Sequence, residues 1–232
     1  MRRFLFSFGL VALATGFLGT PEASAQQQSI NVFLGGFVPR SQDARGTDDV
    51  LFNNGDFLSF NIKDFNGPTV GGEWLIGLTD WFDAGIGVGF YQRTTPSVYT
   101  DFVNSNGTEI EQDLKLRIVP VTATFRFLPL GHRGLVRPYV GAGVGILSWR
   151  YSESGQFVAN DNSIFRDTFV GSGTKTGPVV LGGLTFPVGS VDIGGEIRYQ
   201  SAKGTLPASE NFAGPKIDLG GMNYLFVVNF RF

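Results

Sequence analysis

Cysteine is absent from the 232 residues, which removes disulfide frameworks, thiolate metal sites and anchoring through a lipidated cysteine. Stability must come from packing and hydrogen bonding. Charge is scarce: Asp, Glu, Lys and Arg make up 16% of the chain, against about 25% in an average soluble domain. The 18 basic and 20 acidic residues are scattered with no basic stripe, so nucleic acid is not an expected partner. Beyond residue 25 the longest apolar runs, such as 224–228, fall far short of the roughly 20 residues a spanning helix needs. A membrane could be entered only by strands.

What is abundant is glycine, 33 residues, and phenylalanine, 23. Glycine alternates strictly with an apolar residue over 84–90 (AGIGVGF) and again over 140–146 (VGAGVGI). Side chains of a strand point alternately to opposite faces, so each ladder has one apolar face and one nearly bare face. Glycine weakens an ordinary strand, having nothing to pack. A small closed barrel with lipid outside and a crowded interior gives the pattern a reason. The Gly-x-Gly spacing is not a dinucleotide site, because neither ladder opens a helix.

Residues 1–25 read as an export signal, with Arg2 and Arg3, an apolar stretch over 4–18, and the small residues Ala23 and Ala25 marking a cleavage site. Residues 26–232 are then expected to form one domain. Alternating segments bounded by turn residues fall at 30–38, 71–79, 83–93, 110–127, 137–151, 177–186, 191–200 and 220–232. In the fourth, the apolar set runs Leu114, Leu116, Ile118 and then Val121, Ala123, Phe125, a slip of one residue that predicts a β-bulge at Val119–Pro120. Connections alternate between short ones and long polar ones at 39–70, 94–109, 152–176 and 201–219, the asymmetry of outer-membrane barrels. The fold class is therefore all-β, an eight-stranded antiparallel up-and-down transmembrane β-barrel with both ends in the periplasm. Residues 57–63 also alternate, and are assigned to the first outer loop rather than to a ninth strand.

The chain resembles the small bacterial outer-membrane β-barrel proteins, the group of the OmpA membrane domain, OmpX and OmpW. The resemblance rests on RPYVGAGVGI at 137–146, GGEW at 71–74 before a Thr-Asp-Trp turn, and NFRF at 229–232, where Phe230 and Phe232 are similar to the carboxy-terminal insertion signal. It implies the outer membrane as location, and as partners outer-membrane lipid, lipopolysaccharide, the barrel-insertion machinery and periplasmic chaperones. The group holds adhesins, stabilising proteins, proposed conduits for small apolar molecules and a few lipid-modifying enzymes, so fold alone leaves function open. Those enzymes use a histidine with a serine near the outer leaflet. The single histidine, His132, falls in an expected periplasmic turn without such a serine, and no enzyme activity is expected.

The inward polar set is Glu73, Asp83, Asp192 and Glu196 with Arg93, Lys115, Arg117, Arg126, Arg198 and Arg231. Charges in a low-dielectric interior must be paired, and eight strands enclose a space that side chains just fill. The expected function is a structural or surface-interaction role carried by four outer loops, with the interior closed by salt bridges. The alternative is a passive conduit for small hydrophobic molecules, favoured by Val179, Leu181, Leu225 and Val227 on the inner face, or a narrow gated pore. No cofactor or metal is expected; the acidic groups Asp43/Asp48/Asp49 and Asp161/Asp167 lack an EF-hand spacing and read as solvated loop charge. Trp74, Trp81, Tyr91, Tyr139, Trp149 and Tyr199 are expected in interfacial girdles.

Overall fold

The computed structural model describes residues 27–232; the expected signal segment and its cleavage residues Ala23 and Ala25 lie outside the described residues. Eight strands carry the architecture: β1 (Gln28–Pro39), β2 (Gly67–Gly77), β3 (Phe82–Val103), β4 (Glu109–Phe127), β5 (Arg137–Val158), β6 (Ile164–Val188), β7 (Val191–Gln200) and β8 (Gly221–Arg231). Each pairs antiparallel with the next, and β8 pairs with β1, so the sheet closes on itself. Closure leaves no unpaired edge, the condition for strands to stand in lipid.

The outward face of every strand contributes to one apolar belt. Leu34, Val70, Ile86, Phe125, Val144, Leu184, Ile197 and Phe226 are all exposed on it. The ladder glycines fill the opposite face. A Cβ on Gly85 would lie 2.6 Å from Glu73 Oε1, and one on Gly141 3.2 Å from Arg126 Cγ, so the bare face makes room for interior charges. At Gly143 the limit is backbone: a Cβ would stand 2.0 Å from the Ala123 carbonyl oxygen. On β1, by contrast, a Cβ on Gly36 would meet nothing nearer than 4.0 Å. Gly143→Ala is expected to lose the heat-modifiable gel migration of a folded barrel, and Gly36→Ala to keep it.

A spanning strand needs about 9–11 residues, and β1, β2, β7 and β8 have 12, 11, 10 and 11. The four consecutive strands β3 to β6 have 22, 19, 22 and 25, so they rise well above the belt as a tall half-wall. Two of the connections expected to be long are therefore mostly strand, closed by tight turns at 104–108 and 159–163. Their polar composition hid them, because above the belt the outward face meets water.

The connections 40–66 and 201–220, hereafter L1 and L4, follow the short strands at the end of the barrel away from the chain ends and lean onto the inner side of this wall. L1 holds a short helix, Val50–Asn54, and a two-residue strand, Leu58–Ser59, paired with Val98 and Tyr99 of β3. The alternating stretch 57–63 thus belongs to L1. In L4, Lys203–Thr205 pairs with Lys216–Asp218. Val50, Leu51, Leu58, Ile62 and Phe65 of L1 join Leu206, Ile217 and Leu219 of L4 in one buried cluster with Tyr91, Leu114, Leu116, Ile118, Leu147 and Trp149 of the wall.

That cluster overturns the predicted bulge. Through Val119–Pro120 the register of β4 against β3 and β5 does not shift, and even-numbered residues face inward from Ile110 to Arg126. What reverses is the solvent. Beside the belt, lipid lies outside and charge inside; above it, water lies outside and the L1/L4 core inside, so the apolar set changes face while the strand runs straight.

Candidate functional site

Interior charge and the loops L1 and L4 are the two candidates for function. Level with the belt, Glu73 on β2, Arg126 on β4, and Glu196 and Arg198 on β7 form a closed ring of alternating charge. Glu73 pairs with Arg126 and, at 3.0 Å, with Arg198; Glu196 lies 3.1 Å from Arg126 and accepts from Arg198 Nε at 2.8 Å. The side chains of both glutamates are fully buried. Thr124 Oγ1 donates to Glu73 at 2.6 Å and the Tyr139 hydroxyl to Glu196 at 2.9 Å. The Arg126 guanidinium sits over the Tyr139 ring, 4.7 Å from its centroid, and that of Arg198 over Phe33 at 5.2 Å. Two acids against two bases leave the ring neutral, and its hydrogen bonds satisfy the carboxylates, the arrangement in which buried charge is tolerated.

Nearer the chain ends, Arg137 donates twice to Asp192, at 2.8 and 2.9 Å, and Arg231 Nε lies 3.4 Å from the same carboxylate. His132, in the turn between β4 and β5, is 2.9 Å from Asp83. The close contact with the Asp83 carboxylate outweighs burial and raises the imidazole pKa above the ordinary histidine value. The folded protein therefore holds this proton more tightly than the unfolded chain. The pair stabilises fully below the unfolded value of about 6.5 and its contribution disappears as pH rises through the raised folded value. His132→Ala is expected to melt earlier than the parent at acidic pH and to converge with it at alkaline pH, as read by the temperature of the gel-mobility shift.

Glu73, Arg126, Glu196 and Arg198 come together in the ring; Lys115, Arg117 and Arg93 do not. Lys115 and Arg117 are exposed on the outer face of β4, because above the belt that face meets water while Leu114, Leu116 and Ile118 turn inward. Arg93 follows the inward phase of β3 but is exposed at the mouth, where its Nε donates to the Asp64 carbonyl at 3.0 Å. Arg231 is half-buried near the chain ends; Phe230 is exposed on the outer face of β8, and Phe232 follows that strand.

Trp74 and Trp81 are exposed as a girdle requires, whereas Tyr91, Tyr139 and Trp149 are buried and inward. Tyr199 is half-buried and its hydroxyl accepts from Arg40 at 2.6 Å. Val179, Leu181, Leu225 and Val227 are inward and buried, packed as filling rather than lining a channel. Two spaces among these interior side chains are small: 40 Å³ beside Asp83, Arg126 and His132, and 20 Å³ beside Phe33, Pro120 and Arg198. At about 10–15 Å³ per water, each holds only a few.

Arg137, Tyr139 and Thr124 escaped the sequence reading as members of the interior network, although each shares strand parity with residues assigned inward. L1 and L4 are held by pairs of their own. Arg40 of L1 pairs with Asp218 of L4 at 2.8 Å and donates to Ser201 at 2.9 Å; Arg45 pairs with Asp49 at 2.9 Å. Asp49 also caps the L1 helix, accepting from Leu51 N and Phe52 N, while Asp48 meets Lys216 at 2.8 Å. Two members of the Asp43/Asp48/Asp49 group are thus engaged by basic side chains. Among the described residues no cluster of three or more His, Asp or Glu side chains is arranged to hold a metal ion.

Among solved structures, the chain is similar to Neisserial surface protein A, with 14% identity, 89% of this chain and 97% of that one covered, and a TM-score of 0.47. It is also similar to Ail, the attachment invasion locus protein of Yersinia pestis (15%, 89% and 99%, 0.42), and to the N-terminal β-barrel domain of Pseudomonas aeruginosa OprF (14%, 89% and 97%, 0.37). All three are small outer-membrane β-barrel proteins. No protein-family model and no curated protein matches the chain.

Proposed function

We propose that the chain is a non-enzymatic outer-membrane barrel, with both ends in the periplasm, whose role is structural or interactive and is carried by its outer loops. The observation that carries this reading is the pairing of a continuous outward apolar belt with an interior closed at two levels. Lipid is the medium in which such a belt is stable. Across the belt the Glu73–Arg126–Glu196–Arg198 ring bridges opposite walls, and above it L1 and L4 bury an apolar core on the tall half-wall. Interior spaces of 40 and 20 Å³ give little support to the conduit or pore alternative. Lipid and lipopolysaccharide would contact the belt. Insertion machinery and periplasmic chaperones would handle the chain during assembly, with Phe230 and Phe232 as the recognition signal.

The test combines two measurements on detergent-extracted protein. Unheated protein is expected to migrate faster on gels than boiled protein, and to give no step conductance in planar bilayers. Solubility without detergent would remove the barrel reading; reproducible single-channel steps would remove the closed interior.

A further inference from the structure

At the outer end, where β3–β4 and β5–β6 rise beside L1 and L4, lies a cleft of 770 Å³ that the closed interior does not use. This is within the range of small-molecule sites, about 300–1,000 Å³. Its aromatic side chains fall into two groups. Phe57 of L1 lies 5.8 Å from Tyr99 of β3, which meets Phe102 edge-on at 6.3 Å; Phe157 of β5 stacks on Phe165 of β6 at 5.7 Å and meets Phe169 edge-on at 4.6 Å. Between them the lining includes three buried polar residues, Asn54, Gln112 and Glu153.

The chemistry of those three is one-sided. Asn54 Nδ2 donates to Glu153 Oε1 at 2.6 Å, and the Tyr151 hydroxyl donates to the same oxygen at 2.8 Å. Gln112 Nε2 donates to the Gln156 carbonyl at 2.9 Å and to Tyr99 at 3.2 Å. With their N–H groups committed, Asn54 Oδ1 and Gln112 Oε1 are left without a hydrogen-bond partner while buried. Glu153 is the only charged side chain of the lining, and no lysine or arginine faces it there. The residue stands above the belt, where the outward neighbours Ser148, Arg150, Ser152 and Ser154 are polar. Burial, opposed by the Asn54 and Tyr151 hydrogen bonds, pushes its carboxyl above the ordinary carboxylate range. Acidic residues adjoin lining residues in the sequence at six places and a basic one, Arg166, at one.

We propose that this cleft binds a small organic cation, an alkyl- or arylammonium, between its two aromatic groups and over the Glu153 carboxylate. Aromatic faces attract such cations through the ring quadrupole, the carboxylate supplies the missing counter-charge, and the acidic surroundings raise the local cation concentration. Anionic ligands find no basic partner in the lining. The proposal rests on the reading that the outer loops carry the interaction.

The test uses the full chain in maltoside micelles, whose headgroups carry no ammonium, titrated with benzyltrimethylammonium, neutral benzyl alcohol and benzenesulfonate by calorimetry. Saturable binding of the cation is expected, roughly tenfold tighter than the neutral analogue, with no binding of the sulfonate. Glu153→Gln should abolish the preference for the cation, and Phe165→Ala, on the exposed side of the cleft, should weaken cation binding severalfold. Equal affinity for cation and alcohol, a preference that survives Glu153→Gln, or no saturable binding overturns the cation site. Non-binding by protein that still shows the heat-modifiable shift overturns the site alone, while loss of that shift in the parent removes the barrel reading with it.

Discussion

Glu73→Ala is expected to destabilise the folded barrel by about 3–5 kcal/mol, the cost of stripping one partner from a buried ion-pair network. In the parent, two carboxylates face two guanidiniums, and the Glu73 side chain has no exposed surface. Its removal leaves Arg126 and Arg198 sharing Glu196 alone, a net positive charge among buried side chains, and leaves Thr124 without its acceptor. Three further variants define the origin of the loss. Glu73→Gln keeps an acceptor for Thr124 but not the charge, so it should fall between parent and alanine. Combining Glu73→Ala with Arg198→Ala restores charge balance, and the double variant should lose less than the sum of its parts. Lys115→Ala and Arg117→Ala, on the water-facing side of β4, should change stability by no more than about 0.5 kcal/mol. Urea unfolding in detergent micelles measures all of these. A Glu73→Ala barrel as stable as the Lys115→Ala barrel would mean that the ring carries no stability.

The contrast between Glu73 and Lys115 locates what a sequence can tell about such a barrel. Period-2 alternation says which residues share a face, and in this chain it does so along every strand: Glu73 with Leu75, Glu196 with Arg198, Lys115 with Arg117. It does not say which face is inside. Taking the apolar face as outward holds where the strand stands in the belt, and fails at Leu114, Leu116 and Ile118, where the wall rises into water and the interior becomes the apolar side. The same reversal places Tyr91 and Trp149 in the core rather than in a girdle. L1 and L4 were less legible still, because what folds them is distant in sequence: Arg40 and Asp218 are 178 residues apart, and no local pattern encodes their meeting. One signal was present. Val50, Leu51, Leu58, Ile62 and Phe65 in L1, and Leu206, Ile217 and Leu219 in L4, are large apolar residues in connections read as exposed loops, and a connection exposed along its whole length has no use for them.

Trp149→Ala is expected to cost about 3–5 kcal/mol, the range for deleting a large buried aromatic side chain, and to release L4 from the wall. The indole lies between two glycines that admit it: a Cβ on Gly173 of β6 would lie 3.4 Å from its ring, and one on Gly204 of L4 2.6 Å. It therefore bridges the half-wall to L4 next to Ile217, and its loss empties the space between Gly173 and Gly204. Part of the loss is offset, because Trp149 Nε1 is buried without a hydrogen-bond partner. Trp149→Phe separates the two contributions: it keeps most of the apolar contact and removes the unpaired donor, so it should stay within about 1.5 kcal/mol of the parent. Release of L4 is read independently of stability by trypsin. Lys203 and Lys216 lie in L4, are tied to Asp48 of L1 at 3.9 and 2.8 Å, and should become rapidly cleaved in Trp149→Ala but not in Trp149→Phe. Slow cleavage in the alanine variant, despite a lowered melting temperature, would assign the attachment of L4 to the Arg40–Asp218 and Asp48–Lys216 pairs instead. Rapid cleavage with those pairs intact would mean that neither the exposed Asp48–Lys216 pair, worth roughly 0–1 kcal/mol, nor the largely buried Arg40–Asp218 pair holds the loop once the indole beneath it is gone.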